Sequence, residues 1–137
     1  MTTAYVNGIF TPLSEARISP MDRGFLFGDG VYEVIPCYGG QPVAMQYHLE
    51  RLYDSLEGIA LSPSHSDEQL SALIDELIRQ NGGGDLGIYL QITRGVDERR
   101  QHAFPEKCEH TVFAYTFSIP PPSDGTIESA TCFSTVT

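Results

Sequence analysis

At 137 residues, 41% of them apolar, the chain is long enough to bury a hydrophobic core without disulfide or metal staples. Eighteen acidic against eight basic residues leave a formal charge of −10, which repels nucleic-acid phosphates and anionic membrane surfaces and argues against general binding to either. No stretch is long and apolar enough to span a bilayer, no basic start leads into an apolar secretory run, and the widely spaced Cys37, Cys108 and Cys132 fit reduced thiols of a cytoplasmic protein.

The chain opens on a predicted hairpin. Ala4-Tyr5-Val6 and Ile9-Phe10 flank Asn7-Gly8, the dipeptide best suited to a type I′ turn. Pro12 to Arg23 reads as an irregular loop. In GFLFGDGVYEV the glycines Gly24, Gly28 and Gly30 allow a sharp bend before a strand from about Val31 to Tyr38. Pro36 marks that strand as an edge or a bulge. Gly39-Gly40 turns into a second short strand, Pro42 to Met45.

Two helices follow. Leu49, Leu52, Leu56 and Ile59 repeat at helical spacing, with Ala60 beside them. Leu70, Leu73, Ile74, Leu77 and Ile78 form a cleaner stripe, preceded by a capping box, Ser66 to Gln69, and ended by Asn81 and three glycines. From Leu86 to Thr93, Leu86, Ile88, Leu90 and Ile92 alternate with Tyr89, Gln91 and Thr93, a half-buried strand. A polar loop leads to a further strand, Thr111 to Phe117. Pro120 to Gly125 reads as a linker, and Glu128 to Val136 regains strand character. Strands in hairpins with two helices inserted together predict an α+β fold, a two-layer sandwich of a mainly antiparallel sheet with two helices on one face. The expected division is a domain over 1–119 followed by a linker and first strand over 120–137. Because the sequence stops inside a predicted strand, we expect a piece of a longer protein.

Three places offer chemistry. Arg94, Arg99, Arg100 and His102 make a positive island within nine residues of an acidic chain. It is either a solvated loop balanced by Asp97, Glu98 and Glu106, or an anion site in which arginine forks grip a carboxylate. Arg51 lies off the apolar stripe of its helix, so it is either a surface charge paired with Glu50 or Asp54 or a fixed guanidinium for a phosphate. Tyr32 follows the Gly28-Asp29-Gly30 bend, and alternation sets it with Val34, opposite Val31 and Glu33. It either packs on the sheet or points its hydroxyl into a cleft. The glycines do not match a dinucleotide fingerprint, and Cys108, His110 and His102 lack the paired spacing of a metal site, so no metal is expected.

Taken together, YVNG (Tyr5–Gly8), DRGFLFGDGVYEV (Asp22–Val34), HLERL (His48–Leu52), YLQITRG (Tyr89–Gly95) and RQHAFPE (Arg100–Glu106) resemble the N-terminal domain of class IV aminotransferases over nearly the whole chain. The resemblance implies pyridoxal 5'-phosphate as cofactor, an amino acid and a 2-oxo acid as substrates, and a homodimer. Arg100-Gln101-His102 looks like the D-amino-acid branch rather than branched-chain aminotransferases or aminodeoxychorismate lyases. In that branch Tyr32, Arg100 and His102 would trap the substrate carboxylate, and Arg51 would grip the cofactor phosphate. Arg99 stands beside Arg100, and spacing to His102 selects Arg100. In this family the lysine that carries the cofactor lies past the linker, and Lys107 does not match its setting. The resemblance therefore implies that the chain alone is catalytically inert. A non-catalytic binding module that retained the small domain is the alternative of a different class.

Overall fold

The computed structural model describes residues 1–121. Strands β1 (Thr3–Val6) and β2 (Ile9–Pro12) form the expected hairpin, with Val6 opposite Ile9. Asn7 and Gly8 both hold positive φ, at 48° and 95°, the condition a type I′ turn sets. Asn7 also fastens the turn to the far end of the chain: its Oδ1 accepts from Val112 N at 2.8 Å.

Leu13–Glu15 forms one 3-10 turn, and α1 (Arg23–Phe27) is a five-residue helix in place of the expected simple bend. One turn of helix is too short to show a 3.6-residue apolar period. The Asp22 side chain accepts from Gly24 N, and Gly28 ends the helix in the left-handed region at φ 65°.

Strand β3 (Gly30–Tyr38) pairs along its length with β5 (Leu86–Thr93), and β4 is only Gln41–Pro42. Pro36 lies where the sheet edge tolerates it. Its carbonyl accepts from Val43 N at 2.8 Å on the β4 side. In an antiparallel ladder a residue's N–H and C=O point the same way, so the missing N–H is not taken from the β5 ladder. The expected strand Pro42 to Met45 is corrected: Ala44 turns left-handed at φ 54°, and α2 (Met45–Gly58) starts at Met45.

Helix α2 buries His48, Leu49, Leu52 and Leu56, and α3 (Asp67–Gln80) buries its predicted stripe. Ile59 and Ala60, expected to continue the first helix, fall beyond its end. The capping box forms in both directions: Gln69 N donates to Ser66 Oγ at 3.2 Å, and Ser66 N to Gln69 Oε1 at 2.9 Å. Asn81 closes α3 by donating to Leu77 O at 2.9 Å and binds the backbone of Thr3 through both ends of its amide.

Strand β6 (Thr111–Ser118) completes an antiparallel sheet in the order β2-β1-β6-β5-β3-β4. The α+β two-layer expectation is met. Helix α2 packs on β3 and α3 on β1 and β6. Ile35, Ile88, Leu90, Ile92, Val112 and Ala114 meet the leucines of both helices in one core. Each fully buried Leu or Ile there contributes roughly 1.5–3 kcal/mol. The opposite sheet face carries aromatic rings: Tyr32 and Tyr89 stack at 5.5 Å, and Tyr89, Phe113, Tyr115 and Phe117 follow across β5 and β6. The linker Pro120 to Gly125 and the strand Glu128 to Val136 lie wholly or mostly outside the described residues.

Candidate functional site

The glycine-rich segment builds a turn around one buried carboxylate, Asp22, and one part-buried carboxylate, Asp29. Asp22, 1% exposed, caps α1 and accepts hydrogen bonds from Thr93 Oγ1 at 2.7 Å and Thr111 Oγ1 at 2.5 Å. It thereby ties the α1 start to the ends of β5 and β6. Gly30 has to be glycine, because a Cβ there would stand 2.8 Å from the Ile92 carbonyl. This close approach brings Asp29 beside the end of β5. Asp29 Oδ2 accepts from Arg23 Nε at 2.8 Å and from Arg94 Nε at 2.7 Å. Burial pushes the Asp29 carboxyl up, but hydrogen bonds and charge from Arg94 and Arg23 outweigh it and hold the group below the usual range.

The remaining N–H groups of these arginines reach backbone. Arg94 donates from Nη2 to Ile59 O at 2.6 Å and from Nη1 to Ala60 O at 3.3 Å, which holds the chain leaving α2. Arg94 belongs to this buried pair, not to an exposed island; the positive cluster reduces to Arg99, Arg100 and His102. Arg100 and His102 come together on one ring. The Arg100 guanidinium lies 5.1 Å from the Phe27 centroid, and the His102 ring 5.2 Å from it. Arg99 makes a different contact, its backbone N donating to Asp97 Oδ1 at 3.0 Å. A cleft of about 570 Å³ is lined there by Phe27, Asp29, Ile59, His102 and Phe104, among others.

Arg51 is paired with neither Glu50 nor Asp54. Its Nε donates to Glu33 Oε1 at 2.7 Å and its Nη2 to Glu33 Oε2 at 2.6 Å. His48, one helical turn earlier, places Nδ1 3.0 Å from Glu33 Oε2. Burial raises the Glu33 carboxyl, but Arg51 and His48 outweigh it and hold it below its ordinary value. Glu33 takes two of the five N–H groups of Arg51 and sets the plane of its guanidinium. A guanidinium held in a set plane has the chemistry to recognise a phosphate, the group expected of Arg51 from the sequence.

Tyr32 and Glu33 are neighbours on β3 and point to opposite faces. Tyr32 is on the open aromatic face, 42% exposed, while Arg51 and Glu33 are on the helix side. Within this chain the sheet separates Tyr32 from Arg51, and Arg100 with His102 forms a third group at the α1 end. Lys107 lines a separate pocket of about 600 Å³ with His65, Cys108 and His110. Sequence reasoning missed Arg23, Asp29, Glu33 and His48. The available signal was the row of opposite charges beside glycines, Asp22-Arg23-Gly24, Gly28-Asp29-Gly30 and Arg94-Gly95, in segments otherwise apolar enough to be buried.

The fold and these segments define a class: the family model of amino-transferase class IV matches residues 30–136, and the chain belongs to that family. Among curated relatives, D-alanine aminotransferase from Staphylococcus aureus (strain N315) is 41% identical over 125 residues, covering 90% of this chain and 44% of its own length. The Staphylococcus epidermidis D-alanine aminotransferase (strain ATCC 12228) is 40% identical over 105 residues, covering 77% of this chain and 37% of its own. The chain thus spans less than half the length of these relatives. Among solved structures, the Escherichia coli branched-chain amino acid aminotransferase superposes with a TM-score of 0.79 at 22% identity, over 86% of this chain and 41% of that one. The branched-chain aminotransferase from the thermophilic archaeon Thermoproteus uzoniensis, solved with norvaline, gives 0.77 at 21% identity, over 88% and 42%. At such identity these structures show the shared fold alone.

Proposed function

We propose that the chain is the small domain of a pyridoxal-phosphate transaminase that moves an amino group between a D-amino acid and a 2-oxo acid. The observation that carries this reading is the convergence of Arg100 and His102 on the Phe27 ring, in a chain about 40% identical to D-alanine aminotransferases. Arg100 offers a carboxylate a planar fork, and His102 offers a second donor. Tyr32 joins them from a partner subunit of a homodimer, which accounts for its place on another face. Arg51, oriented by Glu33, holds the cofactor phosphate. Bound pyridoxal phosphate supplies the electron sink for the reaction. The protein's part is to fix two anionic ends at set positions, and such orientation contributes several kcal/mol. Arg100 beside His102 favours the D-amino-acid reaction over branched-chain or aminodeoxychorismate chemistry.

These 137 residues contain one lysine, Lys107, exposed in a loop outside the cleft that His102 lines. By themselves they form no stable adduct with the cofactor and turn nothing over.

The test is substrate profiling of the full-length protein with D-alanine, L-leucine and aminodeoxychorismate, each with a 2-oxo acid acceptor where one is needed. We expect turnover of D-alanine, and an Arg100→Ala variant with KM for D-alanine raised on the order of a hundredfold. Preference for L-leucine, or an unchanged KM in Arg100→Ala, refutes the assignment. Borohydride reduction of the 137-residue chain with pyridoxal phosphate should leave Lys107 unmodified. A stoichiometric adduct there, together with D-alanine turnover, refutes the inertness.

A further inference from the structure

The segment from Arg100 to Ala103 forms neither helix nor strand, yet three consecutive carbonyls in it converge on one buried guanidinium. Arg23, 2% exposed, donates from Nη1 to Gln101 O at 2.7 Å and to Ala103 O at 3.5 Å, and from Nη2 to His102 O at 3.3 Å. The third corner of the same fork, Nε, is on Asp29. Asp29 is fixed in turn by Arg94, which grips the chain at the end of α2. The Arg23 backbone is also held, its N donating to Gly95 O at 2.8 Å. Aromatic rings close the assembly. Phe27 lies 4.8 Å from the Arg23 guanidinium, and Phe104 covers Arg94 at 3.6 Å.

This arrangement does two things that burial of a charge alone does not require. It commits all three guanidinium nitrogens of Arg23 to a link between the Gly28–Gly30 turn and the backbone that bears Arg100 and His102. It also places those two side chains on the ring that Arg23 itself contacts. We propose that Arg23 is a positioning residue for substrate-carboxylate recognition: anchored on Asp29, it presets the 101–103 backbone so that Arg100 and His102 meet an incoming 2-amino or 2-oxo acid together. The inference rests on the carboxylate role given above to Arg100 and His102. Arg23 does not itself touch the substrate. A lysine in its place presents one compact ammonium and does not span Asp29 and the carbonyls at once.

The experiment compares Arg23→Lys, Arg23→Gln and Arg100→Ala in the cofactor-loaded full-length protein. We expect Arg23→Lys to raise KM for both the amino acid and the 2-oxo acid about tenfold, and Arg23→Gln to raise it further, with kcat and cofactor absorbance close to those of the unmodified protein. An unchanged KM in Arg23→Lys beside a raised KM in Arg100→Ala overturns the positioning role and leaves the carboxylate site standing. An unchanged KM in Arg100→Ala sinks the underlying site as well. Altered absorbance and kcat with no selective KM effect makes Arg23 a general structural residue and also overturns the proposal. A measurement on the unmodified protein decides the matter even if the variants fail to fold. Backbone 15N relaxation of residues 101–103 in the substrate-free protein should give order parameters as high as those of strand β5. Order parameters that reach the strand level only on substrate addition contradict a preset loop.

Discussion

Glu33 sits on the helix-facing side of β3, where its neighbours on that face, Ile35 and Cys37, are wholly buried. A carboxylate there is tolerable because Arg51 and His48 satisfy it, and removing its charge breaks that ion pair. We expect Glu33→Gln to cost about 2 kcal/mol of stability, measured by urea unfolding at pH 7. Acid should act in two windows. His110 is lowered from 6.5 by burial and by the charges of Arg94 and His65, and its Nδ1 is buried with no hydrogen-bond partner among the described residues. It is favoured neutral in the folded state, so its contribution is complete above 6.5 and is lost as pH falls below that value. Glu33 and Asp29 are lowered from 4.5 and 3.8, so their contributions persist to lower pH and are lost only as pH falls below those values. Thermal unfolding against pH should show both declines, with His110→Gln removing the upper and Glu33→Gln weakening the lower. A melting temperature that rises on acidification would contradict both assignments. At this scale the motif residues were legible, but their partners were not. Arg51 could be placed off its apolar stripe, while the acid it binds lies eighteen positions away across a sheet-to-helix contact.

Elements followed the sequence where a period runs for more than one turn. Strand β5 and helix α3 match their apolar patterns, and alternation along β3 sorts its two faces correctly. That alternation makes a direct prediction. Ile35 is fully buried, and Val34, the preceding residue, is 40% exposed on the opposite face. Ile35→Ala should cost about 3 kcal/mol in urea unfolding and Val34→Ala less than about 1 kcal/mol. Equal costs would mean that the second face is covered as tightly as the first. Elements were misread where one residue's backbone decides the outcome. Ala44 enters the left-handed region and starts α2 at Met45, and no periodicity announces such a turn. Helix α1 is set by one cap and one left-handed glycine, too little chain for a pattern.

In the whole molecule, sequence-distant strands adjoin: the N-terminal hairpin pairs with β6, and β5 lies between β6 and β3. Asn7 with Val112 and Asn81 with Thr3 fasten the same closure. Because the described residues share one core, unfolding should be a single cooperative step. Near-ultraviolet and far-ultraviolet signals of the 137-residue chain should then change at one urea midpoint; separated midpoints would show that α3 and the hairpin unfold apart from β3 and α2. By itself the sequence determined the strands and helices with sustained periods, the type I′ turn, the two-layer class and the family, because side-chain periodicity and short motifs are local properties. Only the tertiary structure decided that Arg94 is buried against Asp29, that Arg51 belongs to Glu33, and that Arg23 holds the loop of Arg100 and His102. Ion pairs and backbone grips form through space, and sheet register, not position along the chain, sets which charges come within reach.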